Sequence, residues 1–266
     1  MDTIEASNFN VHHLGDGVAH LEINRARSFN SFDENTWLEY ESILFKLDEL
    51  QTITIIIVSG IGDTFSSGLD VKFMLKKFQA FTNNDQFLKF LKIFQRCIST
   101  PLRIGKPTIG LIHGTKNFGL ALDLLCCYSM RIFTKDVTFS LKEIQLGLIP
   151  DMGVLERLAK QTQNVSLLMK LALTGCKFGI EEVLELGLVS KKDVAENYQA
   201  GLEMAKKLAN SISIYQGWCI NGVKKSIEEV IENDVEVSTA LENVIKLNVN
   251  NFETQSFVAK IGKSKL

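Results

Sequence analysis

The chain of 266 residues is 45% hydrophobic and carries a formal net charge of -2, enough apolar content to bury one sizeable core and no global charge to draw it to nucleic acid or an anionic membrane. Its five cysteines include no C-x-x-C pair and its four histidines no H-E-x-x-H cluster, so the chain is expected to hold reduced core thiols and no catalytic metal. No run approaches the roughly 20 apolar residues of a membrane span, and Met1-Asp2-Thr3-Ile4-Glu5 lacks the pattern of a secretory signal.

In chain order, the apolar runs from Val11 to Asn24 are broken by Gly15-Asp16-Gly17, the turn chemistry of a β-hairpin. Asp33 reads as the N-cap of an amphipathic helix through Leu50, with Trp37, Tyr40, Ile43, Leu44 and Leu47 on one stripe. Ile53 to Val58 is a β-branched run closed by Ser59-Gly60, the pattern of a strand buried on both faces. Val71 to Ala80 and Asp85 to Ser99 read as helices, and Thr108 to His113 as a further strand approached through Pro101 and Pro107. A buried helix is predicted over Gly119 to Tyr128, then strands near Met130 to Phe133 and Thr138 to Leu141. From Pro150 onward almost every segment has a helical pattern. Strand-helix alternation up to about residue 195, followed by helices, predicts an α/β core over residues 1–195 and a helical region over residues 196–266.

Three segments combine small residues, acids and apolar neighbours. Phe65-Ser66-Ser67-Gly68-Leu69-Asp70-Val71-Lys72 is a strand end entering a helix, where free backbone N–H groups can converge on a developing oxyanion; an ordinary turn is the alternative. His113 to Asp123 repeats that layout and places Asp123 inside an apolar helix. There a carboxylate is either functional or paired, with Lys116 and Arg131 as candidate partners. In Lys142-Glu143-Ile144-Gln145-Leu146-Gly147-Leu148-Ile149-Pro150-Asp151, two acids flank an apolar turn. Pro150 suits the first turn of a helix, and Asp151 beside it could simply complement that helix's dipole.

Together these segments resemble the enoyl-CoA hydratase/isomerase (crotonase) family over most of the chain. Ile23-Asn24-Arg25 with Asn30 is similar to the family's early turn, and Leu173-Thr174-Gly175 with Gly187-Leu188-Val189 to its downstream helix-turn signature. The resemblance implies an α/β fold, a crotonase-type spiral of strand-strand-helix units, with a C-terminal helical region that makes trimers, usually paired into hexamers. It implies an acyl-CoA thioester substrate whose carbonyl sits between the N–H groups of Leu69 and Leu120. No cofactor is implied beyond the CoA of the substrate itself. Hydratases of the family carry glutamates at the positions of Asp123 and Glu143 and a glycine at that of Asp151. The set Asp123, Glu143 and Asp151 instead resembles the dienoyl-CoA isomerases.

The chemistry agrees with that resemblance, since moving two conjugated double bonds needs a base at C2 and an acid at the remote C6. Glu143 is expected to be the base, Asp151 the acid, and Asp123 the group that tunes both. The loop Thr115-Lys116-Asn117-Phe118-Gly119-Leu120-Ala121 departs from the family pattern in being one residue longer and poorer in glycine, which bears on how closely backbone can approach the thioester. Arg25, Arg27, Lys72 and Lys260 are candidates for the CoA phosphates, against the alternative of solvated surface charges. Ser264-Lys265-Leu266 spells a peroxisomal address that an import receptor would read, so the peroxisomal matrix is the expected compartment. Competing readings are a simple enoyl-CoA isomerase or hydratase, and a peroxisomal binding or assembly subunit without turnover.

Overall fold

The structure, a computed structural model, describes residues 4–253. β1 (Phe9–Gly15) and β2 (Val18–Ile23) form the expected antiparallel hairpin, with His12 opposite His20 and Asp16 and Gly17 at φ 48° and 80° in the turn. α1 (Glu34–Glu49) starts where Asp33 accepts a hydrogen bond from the Thr36 N–H at 2.9 Å, the side-chain cap that the sequence predicts. β3 (Ile55–Gly60) follows, then α2 (Val71–Ala80), α3 (Asn84–Ile98) and the single turn α4 (Thr100–Arg103).

β4 (Thr108–Ile112) leads through the short β5 (Asn117–Phe118) into α5 (Leu120–Cys126), shorter than the helix predicted from Gly119 to Tyr128. β6 (Met130–Thr134) and β7 (Phe139–Ser140) come next, and a 3₁₀ turn over Glu143–Leu146 follows them. The helices beyond are α6 (Val154–Gln161), α7 (Val165–Thr174) and α8 (Ile180–Glu185), separated by β8 (Val194–Ala195) from α9 (Tyr198–Ser213), α10 (Gly217–Ile231) and α11 (Val237–Asn251).

The predicted start of a helix at Pro150 is corrected: α6 begins at Val154, because Gly153 at φ 107° turns the chain first. The two-residue strand β8 inside the segment read as helical is a second correction.

Six strands form one sheet in the order β1-β2-β3-β4-β6-β8, parallel from β2 onward, while β5 and β7 pair apart from it. The sheet is covered on both faces, which explains why β3 reads as a continuous apolar run. Ile56 and Val58 enter the main core with Trp37, Tyr40 and Phe94, whereas Ile55 and Ile57 meet Ala205 and Ala209 of α9 on the other face. Gly201, Ala205 and Ala209 repeat every four residues along α9. A Cβ at Gly201 would fall 2.6 Å from Leu111, so the small stripe is what lets the helix lie close on the sheet. No helix among the described residues is long and apolar enough to cross a membrane.

Candidate active site

Parallel strands end at one edge of a sheet, and the loops that leave β3 and β4 there form the first wall of the site. Phe32 pairs with Leu69 in a single parallel bridge: its N–H donates to the Gly68 carbonyl and its own carbonyl accepts from the Asp70 N–H, both at 2.8 Å. That pattern leaves the Leu69 N–H turned to the opposite side. Leu120 is the first residue of α5, so no earlier helical carbonyl is available to its N–H. Among the described residues neither amide donates to a protein acceptor. The two segments touch, since a Cβ at Gly68 would collide with the Phe118 carbonyl and lie 3.5 Å from the Leu120 nitrogen.

Asn117, a residue the sequence reading passed over, holds this approach together. Its fully buried amide donates to the carbonyls of Gly114 (2.7 Å) and His113 (3.2 Å), and its oxygen accepts from the Thr64 hydroxyl (3.3 Å) and the Ser66 N–H (3.4 Å). One side chain therefore ties the loop after β4 to the loop after β3, a task that glycines elsewhere perform by letting backbones approach directly. In the sequence Asn117 is one of three consecutive polar residues, Thr115, Lys116 and Asn117, and nothing there distinguishes it from the other two. Asn30, also buried, adds a second tie through its amide to the carbonyls of Ile61 and Thr64, both at 2.9 Å.

The acids converge from three directions. Asp123 is buried in α5, and its Oδ1 accepts the Val154 N–H at 2.8 Å, so it meets the positive end of α6. Neither candidate partner pairs with it: Lys116 lies over the Phe29 ring at 3.6 Å, and Arg131 donates to Gln161 at 2.7 Å. Burial, and then Glu143, push the Asp123 carboxyl well above its usual range, against the pull of the Val154 amide and Arg157.

Glu143 opens the 3₁₀ turn after β7, and pairing of β7 with β5 carries it to the glycine that precedes Leu120. Its Oε2 is buried with no hydrogen-bond partner, and its pKa is raised by burial, with Asp151 adding to the rise and its own backbone N–H opposing it. Gly119, at φ 48° and ψ -109°, is where this carboxylate lies against the loop; a Cβ there would sit 3.2 Å from Cδ of Glu143 and closer still to Oε1.

Asp151 is exposed at the edge of a polar cleft of about 570 Å³ that also involves Lys92, Gln95, Arg96 and Arg157. Glu143 is not on the wall of that cleft. The atoms crowding Asp151 raise its pKa and Glu156 adds to the rise, while its own backbone N–H opposes it. Asp123 lies within electrostatic reach of both other acids, each of which raises its pKa.

Of the predicted cations, the described residues include Arg25, Arg27 and Lys72. Arg25 is a correction: its guanidinium donates to Asp33 (2.9 Å), Thr36 (3.0 Å) and the Ser31 carbonyl, so it fixes the turn before α1 and is not free for a phosphate. Arg27 and Lys72 are exposed. Lys260 and the tripeptide Ser264-Lys265-Leu266 lie outside the described residues. Lys116, in the loop that precedes α5, lies over the Phe29 ring, and Lys142 lies 5.6 Å from the Phe118 ring of that loop.

The family model described as Enoyl-CoA hydratase/isomerase matches residues 13–263. The chain is 28% identical over 250 residues to the mitochondrial Delta(3,5)-Delta(2,4)-dienoyl-CoA isomerase of Mus musculus, a match that covers 92% of this chain and 75% of that protein. It is 34% identical over 181 residues to the peroxisomal Delta(3,5)-Delta(2,4)-dienoyl-CoA isomerase of Arabidopsis thaliana, covering 65% and 64%. A crotonyl-CoA hydratase of Syntrophomonas wolfei is 25% identical over 228 residues, covering 85% of this chain and 83% of that protein. Among solved structures, an enoyl-CoA hydratase from Bacillus anthracis superposes with a TM-score of 0.84 over 97% of this chain and 96% of that one. At 22% identity it carries the fold alone, which is the α/β crotonase type expected from the sequence.

Proposed function

Because the chain belongs to the enoyl-CoA hydratase/isomerase family, we propose that it converts a 3,5-dienoyl-CoA to the 2,4-dienoyl-CoA. The observation that carries this reading is the third acid. A pair such as Asp123 and Glu143 would serve the addition of water, but Asp151 is electrostatically coupled to both and stands on the side of the cleft. The names of the mouse and Arabidopsis relatives support the same choice.

In the proposed reaction Glu143 takes a proton from C2, and the electron pair spreads through the two double bonds onto the thioester oxygen. The N–H groups of Leu69 and Leu120 stabilise that oxyanion. Asp151 delivers a proton to C6, the negative charge returns along the chain, and double bonds remain at C2 and C4. One proton leaves and one arrives, so the substrate's composition is unchanged. A raised pKa makes Glu143 a stronger base and keeps a proton on Asp151 nearer neutral pH. The reaction runs on carboxylates and amides, with CoA entering as part of the substrate.

Asp151→Asn keeps the shape of the side chain and removes its transferable proton. Turnover of a 3,5-dienoyl-CoA, followed by the absorbance of the 2,4-diene, is expected to fall roughly 10²–10⁴-fold. The variant should still exchange the C2 proton with solvent deuterium through Glu143. Isomerisation at the parental rate would remove the dienoyl reading and move hydration or simple enoyl-CoA isomerisation ahead of it. We also propose the peroxisomal matrix as the compartment, because the Arabidopsis relative is a peroxisomal enzyme and Ser264-Lys265-Leu266 has the form of a receptor-read address. Imaging the chain with a reporter placed before Met1, with and without that tripeptide, tests it.

A further inference from the structure

The three acids would be of no use without something that fixes the turn between two of them. Met152 and Gly153 join Asp151 to Val154, whose N–H holds Asp123. Gly153 has φ 107°, a conformation that L side chains rarely adopt, and a turn of that kind keeps one geometry only when its surroundings over-determine it. Arg157, one turn along α6, supplies those surroundings. Its Nη1 donates to the Met152 carbonyl at 3.1 Å and its Nη2 to the Ser99 hydroxyl at 2.9 Å, while Nε lies 3.4 Å from Glu232 just beyond α10. The guanidinium packs so closely under Gly153 that a Cβ there would collide with Nη1 and lie 3.0 Å from Cζ. From the other side Gln95 of α3 donates to the Asp151 carbonyl.

We infer that Arg157 is a positioning residue: its planar fork braces the Met152–Gly153 turn and so places both Asp151 and the Val154 amide that holds Asp123. The inference rests on the proposed roles of those acids. Arg157 touches neither the acids nor the oxyanion amides by hydrogen bond, and it acts through the turn. A lysine would keep the charge and lose the fork, which has to reach α3, the turn and the end of α10 at once. Its charge has a second effect, because Arg157 is the cation that favours ionised Asp123; Glu232, Cys126 and Cys127 are the other titratable groups it faces.

Arg157→Lys and Arg157→Met are the variants to compare with the parent. With the fork gone, kcat on the substrate the parent turns over is expected to fall about 10²-fold in both, with KM changed less than threefold, the loss that a misplacement of about 1 Å produces. Carboxyl titration by ¹³C NMR of aspartate-labelled protein gives a reading independent of turnover: Asp123 should titrate at higher pH in Arg157→Met than in the parent, and Arg157→Lys should restore most of that difference. Parental kcat in both variants, or an Asp123 titration that Arg157→Met leaves in place, overturns the inference. Should Arg157→Met not fold, Ser99→Ala removes one support of the guanidinium and is expected to lower kcat severalfold; parental kcat there also overturns it. A parent without activity on the diene, paired with a shifted Asp123 titration in Arg157→Met, counts against the dienoyl reading and leaves the inference standing.

Discussion

Gly119→Ala tests the closeness of Glu143 to the loop that offers the Leu120 amide. The residue sits at φ 48° and ψ -109°, and an alanine held there costs about 1–3 kcal/mol of backbone strain. The new methyl group would also press on the end of the Glu143 side chain, which can swing aside, so the added stability cost is modest. A total of about 2–3 kcal/mol corresponds to a Tm lowered by roughly 4–12 °C for a domain of this size. The effect on turnover is the larger one. Displacing the carboxylate by about 1 Å is expected to cost about 10²-fold in kcat. Gly187→Ala is the control: it also has a positive φ, 72°, but nothing lies within 4 Å of the added carbon, so it should cost about 1 kcal/mol and leave kcat unchanged. Calorimetry and the diene absorbance assay on both variants decide the matter. If Gly119→Ala loses stability but keeps parental turnover, Glu143 is not acting from its position against this loop.

His20 is buried against Ser59 at 2.7 Å and its pKa is lowered by that burial to about 4, from 6.5. An unfolded chain takes up that proton first as pH falls, so the contribution of His20 is full above 6.5 and is lost on the way down through 4, on the order of 3 kcal/mol in all. Urea unfolding of His20→Gln between pH 7 and 4.5 should lack that share of the slope; equal slopes in variant and parent would refute it. Val237, Leu241, Ile245 and Val249 repeat every four residues along α11 and are exposed, as are Val223 and Ile227 on α10. These faces support the trimer or hexamer implied by the family resemblance, and light scattering at micromolar concentration should give a multiple of 29.8 kDa. A monomer mass would refute assembly.

Local chemistry made much of the fold legible. Gly15-Asp16-Gly17 turns a hairpin because its backbone needs positive φ, and Asp33 caps α1 because its carboxylate reaches an N–H three residues on. The coincidence of small residues, acids and apolar neighbours marked the segments that hold Asp123, Glu143 and Asp151, and the family resemblance selected the three acids, of which the fold brings Glu143 and Asp151 within electrostatic reach of Asp123. What stayed hidden depends on partners far along the chain. Asn117 is anonymous until His113, Gly114, Thr64 and Ser66 surround it. Arg25 looks like a phosphate ligand until Asp33 and Thr36 occupy it. Pro150 looks like a helix start until Gly153 postpones the helix to Val154. A strand of two residues such as β8 is too short to leave a periodic pattern at all.

The acids are graded in their access to water, and under the proposed reaction that gradient gives each a different task. Asp123 is fully enclosed with one backbone donor, so ionising it is disfavoured most. Glu143 is half-buried with one oxygen left dry, a costly arrangement in a resting protein, and one that suits a carboxylate whose missing partner is the substrate. Asp151 is exposed at the cleft, where it can exchange protons with solvent. Charge on Glu143 raises the pKa of the buried Asp123, so charge on Glu143 is easiest to hold while Asp123 stays protonated. Protonated Asp123 can still accept the Val154 N–H through its carbonyl oxygen. The inner acid then serves the base by remaining neutral, and the outer acid can be recharged from water after each turnover. Asp123→Asn keeps an oxygen to accept the Val154 N–H and removes the charge, so it should hold the α6 end of the site in place while leaving Glu143 no ionisable neighbour at 123.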